Sequence, residues 1–500
     1  MHKKYNKVAQ MVRLAILFGA SAATTMSTPV MSAEGGGEDV QQEIEKIQVT
    51  GSRLNRTDLE SALPVTVISA QDIAATGLPD ISAVLAQMPF NTQGSNVNRS
   101  NSSTANHSNS GLRGLGASRT LTLVNGKRVA PSATAGGSST NLNLIPLEAV
   151  ERIDILRDGA AAIYGSDAIG GVINIILKRD FEGVLLKLDA ARPSSESGDE
   201  SGISLTIGST SDKGSSLIIL EHKEDEGIRY GTRKVLSADF DLAYNRSSLY
   251  SPYGSYHTVD GDGAKNGPWN PGEDCPTEHL ISRGDDGNRC GYPFLDGKNF
   301  TPKRQKDSIF GFFTYNIADN LTLETEVMAL RDSAGTEASS VWTSGGVVIG
   351  ADIPYNPTYG TDNPSDIRAY TRLVGVADRH TQFDSSTYHL GSTLSWELDS
   401  GILDFSFTAS RQDINSTIEH YIFEDELKEA ISSGNYNPFV LGGNATPETI
   451  SNFLHTSSRV SYATTKSVGV TWASKLDFEL KGGNIAYAVG GVWHDFTYKD

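Results

Sequence analysis

The chain has 500 residues, with 42 Lys and Arg against 60 Asp and Glu, a net charge of −18 and a mean hydropathy of −0.29. That acidic balance argues against a nucleic-acid binder, which needs clustered basic side chains to neutralise phosphates. The length suggests more than one domain. Beyond Ala33 no apolar run reaches the roughly 18 residues that a spanning helix requires.

The first residues read as a targeting segment. Lys3, Lys4, Lys7 and Arg13 form a basic start, "LAILFGASAA" is a short apolar stretch, and small residues run down to "VMSA" at Ala33. This is the pattern of a secretory signal over residues 1–33, which places the mature chain outside the cytoplasm. Residues 34–54 then read as a polar tail, interrupted by "EIEKIQVTGSR". Within it Ile44, Ile47, Val49 and Thr50 make a strand-prone patch that ends at Gly51. One short strand does not hold itself together in water, so this patch requires a partner.

Residues 55–180 mix helix and strand signals. "LPVTVIS" reads as a strand running into Ser69, and "SAQD" starts a helix with Asp72 in the capping-box position. "PDISAVLAQMP" reads as a second short helix, with Asp80 as N-cap and Pro89 beyond its end. "RTLTLVNGKRVAP" reads as a hairpin, Leu121, Leu123 and Val129 alternating around the turn pair Asn125–Gly126. "AVERIDILRDG" and "GVINIILKRD" add two strands. A small α+β unit results, able to bury its own core.

From Gly183 onward helix signals vanish and period-two alternation takes over. In "GILDFSFTASR", Leu403, Phe405, Phe407 and Ala409 face one way; Asp404, Ser406, Thr408 and Ser410 face the other. "STYHLGSTLSWEL" and "SVGVTWASKLDFEL" repeat the pattern. Short links ("SDKG", "ADN", "DSG", "KGG") alternate with long polar loops near residues 229–305, 331–384 and 415–463. A soluble sandwich also alternates, but strands of about ten residues or more with tight turns on one side only predict a transmembrane barrel over residues 181–500. About nine strands are expected, an odd number that would leave edges unpaired in lipid. The expectation is therefore a piece of a longer chain, with roughly 22 strands as in plugged barrels. Cys275 and Cys290 lie in a Gly- and Asp-rich loop. In an exported chain they are expected to form a disulfide, a free pair being the alternative; across a loop of about 15 residues such a bridge is worth up to ~3 kcal/mol.

Two stretches, "SGLRGLGASRTLTLVNGKRV" and "IPLEAVERIDILRDGAAAIYGSDAIGGVINIILKRD", closely resemble the plug domain of TonB-dependent outer-membrane receptors. The resemblance covers residues 43–180 in detail and the barrel in pattern. It rests on Arg113 and Gly114 in "RGLG", on Asn125 and Gly126, and on Arg157, Gly159, Tyr164, Gly165, Gly170, Gly171 and Asn174. "RDGAAA" departs from the many members that carry a proline after that glycine. The resemblance implies that Ile44, Glu45, Lys46, Ile47, Gln48, Val49 and Thr50 form a TonB box, which adds as a strand to the TonB protein through main-chain hydrogen bonds. The segment contains no proline that would remove a donor. It further implies the ExbB–ExbD motor behind TonB, a multi-pass barrel in the outer membrane of a Gram-negative bacterium, and contact with its lipid and lipopolysaccharide.

Other motifs carry less. "GLRGLG" lacks the spacing and the following helix of a dinucleotide loop. There is no HExxH pair and no Cys/His metal constellation, so neither an enzyme nor a cofactor is expected. Asp260 and Asp262 have a calcium-like spacing without the late Glu of an EF-hand. The apical plug loops "NTQGSNVNRSNSSTANHSNS" and "APSATAGGSST" supply ligand-contact candidates Asn96, Asn98, Arg99, Asn106, His107 and Thr134. Their amides and hydroxyls suit neutral oligosaccharides or peptides, whereas anionic iron chelates more often meet Arg and aromatic clusters. His107 reads first as a solvated loop histidine and only second as a ligand. The leading function is a TonB-driven importer of a scarce nutrient. The alternatives are a signalling receptor, which would need a folded domain ahead of the box, and a passive channel or adhesin, which needs neither box nor plug.

Overall fold

A computed structural model describes residues 65–91, 106–157, 161–230, 232–233, 250–292, 298–480 and 483–500. The first unit built is a mixed five-stranded sheet. Its strands are β1 (Val65–Ser69), β2 (Thr120–Val124), β3 (Lys127–Arg128), β4 (Val150–Leu156) and β5 (Gly171–Leu177), in the order β1-β4-β5-β2-β3. β5 is buried along its whole length, as a central apolar strand must be, and pairs parallel with β2 and antiparallel with β4. Local chemistry sets the connections. Ser69 and Asp72 close a capping box on helix α1 (Ala70–Thr76), and the Asp80 carboxylate accepts from Ala83 N at 2.8 Å to start α2 (Ile81–Ala86). Asn125 and Gly126 have φ of 47° and 74°, both left-handed, which is the two-residue hairpin turn that their identities favour. A third short helix, α3 (Ala161–Tyr164), precedes β5.

The chain then builds an antiparallel sheet. β6 (Gly183–Ala191), β7 (Glu200–Ser211) and β8 (Gly214–Asp225) open it. A long excursion follows, carrying β9 (Ser255–Thr258), β10 (Asn270–Pro271), β11 (Leu280–Ser282) and β12 (Asn288–Cys290). The chain returns as β13 (Lys303–Ala318) and β14 (Leu321–Glu337), leaves again for β15 (Val347–Ile349) and β16 (Ile367–Tyr370), and returns as β17 (His380–Leu398) and β18 (Gly401–Ile422). A third excursion holds helices α4 (Glu424–Ser432) and α5 (Pro447–Phe453) before β19 (Leu454–Leu480) and β20 (Gly483–Lys499). The nine long strands lie in the order β20-β19-β18-β17-β14-β13-β8-β7-β6, each neighbour antiparallel.

The two faces of this wall meet different surroundings. Outward-pointing Leu220, Phe313, Tyr388, Leu390, Phe405, Phe407, Val468 and Val489 are exposed, whereas inward-pointing Glu326, Thr387, His389, Ser410 and Gln412 are buried. Apolar outside and polar inside is the reverse of a soluble sheet and is what a membrane barrel requires. The outer apolar band ends sharply. One register rung carries His222, Asp307, Arg331, Ser386 and Asp413 across β8, β13, β14, β17 and β18. On the excursion side of that rung the outer surface turns polar.

The excursions correct the expectation that helices end at Gly183 and that the long loops are simple polar connections. Strands β10, β9, β16 and β15 form a second small sheet, and helix α4 packs on β15. Val347, Ile349, Ile367, Leu427, Ile431, Phe439 and Phe453 share one apolar core, which Tyr256 joins from the first excursion. Three segments far apart in sequence therefore make one cap. Close packing seals it: a Cβ on Gly254 would lie 2.6 Å from the Phe439 ring, and the Tyr355 hydroxyl donates to Ile431 O. Cys275 and Cys290 are bonded, closing the β11–β12 hairpin.

The wall's asymmetry gives a direct test of its orientation. A peptide tag inserted at Gly287, in the first excursion, should be reached by antibody on intact cells. The same tag at Ser400, in the tight turn between β17 and β18, should be reached only after the outer membrane is permeabilised. Surface labelling at Ser400 would invert the orientation.

Candidate functional site

The α+β unit sits against the inner face of the wall, and the two share an apolar core. Ile73, Ile81, Leu142, Ile145 and Ile153 of the unit pack in one cluster with Leu217, Ile219, Phe310, Phe312 and Met328 of β8, β13 and β14. Burying a Phe or Leu side chain of this kind is worth about 1.5–3 kcal/mol. Around that patch the contacts are polar and directional. The backbone N–H groups of Ala130 and Ala133 donate to Ser410 Oγ and Gln412 Oε1, both at 3.0 Å. Lys306 Nζ donates to Ile145 O at 3.3 Å and Lys223 Nζ to Pro79 O at 2.8 Å. Arg179 pairs with Glu324 at 3.1 Å.

The tightest seat is at the hairpin turn. Glu326 on β14 is 1 % exposed and receives Lys127 Nζ at 3.2 Å, His389 Nε2 at 3.2 Å and the Asn125 side-chain amide. Across the register from Glu326 stands Gly391, where a Cβ would come within 2.4 Å of the carboxylate oxygen. The missing side chain makes the space in which the carboxylate turns toward the hairpin. The turn itself is rigid: Asn125 Oδ1 accepts from Leu177 N at 2.8 Å, and Asn174 Oδ1 accepts from Gly126 N at 2.9 Å. Sequence reasoning missed Glu326, His389 and Gly391, because polar and small residues are expected anywhere on a lumen face. Lys127, inside the quoted hairpin, was not singled out either.

Several sequence-picked positions come together in a second knot. Arg113, at φ 56° beside Gly114, donates through its guanidinium to Gly170 O at 3.1 Å and Ile169 O at 2.6 Å. Gly170 lies so close to β2 that a Cβ would meet Arg119 O at 2.8 Å, and a Cβ on Gly171 would meet Leu156 O at 2.6 Å. Tyr164 O accepts from Arg128 at 2.9 Å just before Gly165, and Arg157 lies over the Phe90 ring at 5.7 Å. The "RGLG" loop, the hairpin and the "IYGSDAIGG" stretch are thus one interlocked piece. Gly159 lies outside the described residues, as do Ile44 to Thr50, Asn96, Asn98 and Arg99.

The apical candidates behave differently from expectation. His107 is 1 % exposed, so its reading as a solvated loop residue is corrected; Asn106 is buried as well. The cause is the second apical loop folding over the first. His107 Nε2 lies 3.0 Å from Ser139 Oγ and accepts from Asn109, while Asn141 donates to Asn106 O at 2.9 Å. Burial lowers the His107 pKa to about 4, so the ring is neutral at pH 7. Thr134 is half-buried. A cleft of about 520 Å³ lies between the unit and β6–β8, its charged side chains Lys178, Lys187, Asp189, Glu200 and Glu221 mixed with apolar Ile73, Leu78, Leu147 and Ile203. Lys187 bridges it to Glu148 at 2.5 Å.

A folded unit seated inside a wall with an apolar outer band defines a plugged membrane barrel. Residues 57–172 match the family model described as TonB-dependent Receptor Plug Domain. The fold resembles a variant of the ferric enterobactin receptor PfeA from Pseudomonas aeruginosa in complex with enterobactin, with 17% identity over 88% of this chain and 51% of that one, at a TM-score of 0.50. A second variant of that receptor matches at 18% identity, 88% and 50% coverage and a TM-score of 0.50. The siderophore receptor PirA from Acinetobacter baumannii matches at 17% identity, 87% and 48% coverage and a TM-score of 0.48. The chain spans about half the length of these solved structures. Residues 57–172 are thus a plug domain of the TonB-dependent receptor type, and the strands that follow share the barrel fold of those solved receptors.

Two measurements test the seat. Glu326→Ala leaves Lys127 without its carboxylate and should destabilise the plug in the wall by about 3 kcal/mol, the usual cost of breaking a buried pair. It would be seen as faster protease cleavage within residues 106–157, and unchanged protection would mean that the seat is unimportant. At the apex, a buried neutral histidine contributes stability that is full above pH ~6.5 and is lost as pH falls toward the folded pKa of about 4. The wild-type plug should therefore melt lower at pH 5 than at pH 7. His107→Gln should flatten that difference.

Proposed function

We propose that the protein is a TonB-dependent transporter of the outer membrane, binding a scarce nutrient outside and admitting it to the periplasm with energy relayed by TonB and ExbB–ExbD. The observation that carries this reading is the plug's seat. Much of its hold on the wall consists of hydrogen bonds and ion pairs such as Lys127–Glu326 and Arg179–Glu324. Such contacts are directional and, once opened, are replaced by water, so away from the one apolar patch against β8, β13 and β14 a pulled plug leaves the wall without exposing apolar surface. A passive pore would have no use for so specific a stopper.

In this reading residues 34–54 are the periplasmic tail, residues 55–180 the plug, and the remainder the first part of the barrel. The segment Ile44–Thr50 is the handle, adding as a strand to TonB. The knot of Arg113, Gly170 and Gly171 would keep the sheet intact while force enters ahead of β1. The nutrient is an iron chelate, an oligosaccharide or a peptide. Two of the solved structures it resembles are variants of a ferric enterobactin receptor by name, which brings the first class forward.

Val49→Pro tests the coupling. It removes one backbone donor from the handle and restricts Gln48, so energised uptake should vanish while insertion and ligand binding persist. Growth of a deletion strain complemented with this variant on limiting nutrient is the readout. Full complementation would refute the assignment of the handle.

A further inference from the structure

The cleft between the α+β unit and β6–β8 has a volume of about 520 Å³, within the range that small-molecule sites occupy. One side belongs to the plug and carries Ile73, Leu78 and Leu147. The other belongs to the wall, with Lys187 and Asp189 on β6, Glu200 on β7 and Glu221 on β8. A smaller cavity of about 50 Å³ adjoins it, sharing Pro79, Leu147, Glu221 and Lys223 and adding Asp80, Asp225, Arg304 and Lys306. Two lysines cross the seam, Lys187 to Glu148 at 2.5 Å and Lys223 to Pro79 O at 2.8 Å.

The charges in this seam do not balance. Arg304 is taken by Asp332 in a two-pronged pair at 2.7 and 2.8 Å. The carboxylates Asp80, Glu148, Asp189, Glu200, Glu221 and Asp225 are then left with the four lysines Lys178, Lys187, Lys223 and Lys306. Three of those lysines are divided between partners. Lys187 serves both Glu148 and Asp189, Lys223 lies 3.9 Å from Glu200, and Lys306 donates to Ile145 O and lies 4.0 Å from Glu221. Glu221 is the least satisfied of the acids. Its side chain is 7 % exposed and lines both cavities, and its Oε2 has no hydrogen-bond partner among the described residues. A buried carboxylate oxygen without a donor carries its full desolvation cost, so such a group calls for one.

We propose that the cleft binds a linear aliphatic diamine. One ammonium donates to Glu221 Oε2, the methylene stem lies along Ile73, Leu78 and Leu147, and the second ammonium sits beside Asp189 and Glu200. Two positive charges offset the excess of carboxylates, the ammonium supplies the missing donor, and the apolar side takes the stem. A metal ion fits less well, because among the described residues no three His, Cys, Asp or Glu side chains converge as ligands. A water would meet Oε2 but leave the charge excess unchanged. The diamine touches plug and wall together, so it acts as a strut that holds α1 against β7 and β8.

The test uses the whole receptor, purified in detergent, with 1,5-diaminopentane as the probe and 1,5-pentanediol as its uncharged counterpart. Calorimetry should report saturable binding of the diamine that added salt weakens, and no binding of the diol. Glu221→Gln and Glu200→Gln should each weaken it roughly tenfold, one charge-assisted contact each. Glu200 stands at the partly exposed start of β7, so its variant keeps the measurement decisive where the buried substitution disturbs folding. Bound diamine should also slow amide hydrogen exchange in α1 about tenfold, as a strut between plug and wall must. Absent binding, equal binding of the diol, variants that bind as well as wild type, or unchanged exchange in α1 would each overturn the proposal. None of these results touches the importer reading, which the Val49→Pro experiment decides separately.

Discussion

Everything in this molecule depends on a wall that keeps lipid on one side and polar groups on the other. A strand alternates its side chains, so a single register places Phe405 and Phe407 outward and Ser410 and Gln412 inward. The polar inner face then offers hydrogen bonds to whatever fills the lumen, and the plug accepts them. Had the inner face been apolar, the plug would be glued in place as a core is. Because it is polar, the plug is positioned accurately by hydrogen bonds and ion pairs around one apolar patch.

Local chemistry was legible before any coordinates. Ser69 with Asp72, Asp80 ahead of Ala83, and Asn125 with Gly126 each act within four residues, so their spacing alone predicts a cap or a turn. The wall was legible for a related reason: period two is written into every strand, and tight links alternate with long ones. The "RGLG" and "IYGSDAIGG" stretches were visible as motifs. Their reason, Arg113 reaching Gly170 across 57 positions, was not.

What stayed hidden is long-range. Glu324 and Glu326 both point into the lumen from β14, and nothing in "LTLETEVMALRD" says which one meets the hairpin. Gly391 matters because of a carboxylate on the neighbouring strand, a pairing that exists only once the register is set. The cap was missed more completely. Leu427, Ala430 and Ile431 do have helical spacing, and Thr446 with Pro447 announces a helix start, so α4 and α5 were findable. Their partners in β15 and β9 were not, since those lie 75 positions and more away.

With the excursions outward, as in the proposed transporter, the fused cap would also decide how a cell surface presents this protein to an immune system or a phage. A surface built from three segments has no linear stretch that represents it. Peptides copied from any single excursion would lack the neighbours that fix their shape, Phe439 under Gly254 among them. Antibodies raised against such peptides would recognise unfolded chain and pass over intact cells. Recognition of the native surface would depend on discontinuous determinants. Variation in one excursion would then be constrained by the other two, so escape from such recognition would have to come from side chains at the rim and leave the buried seams unchanged.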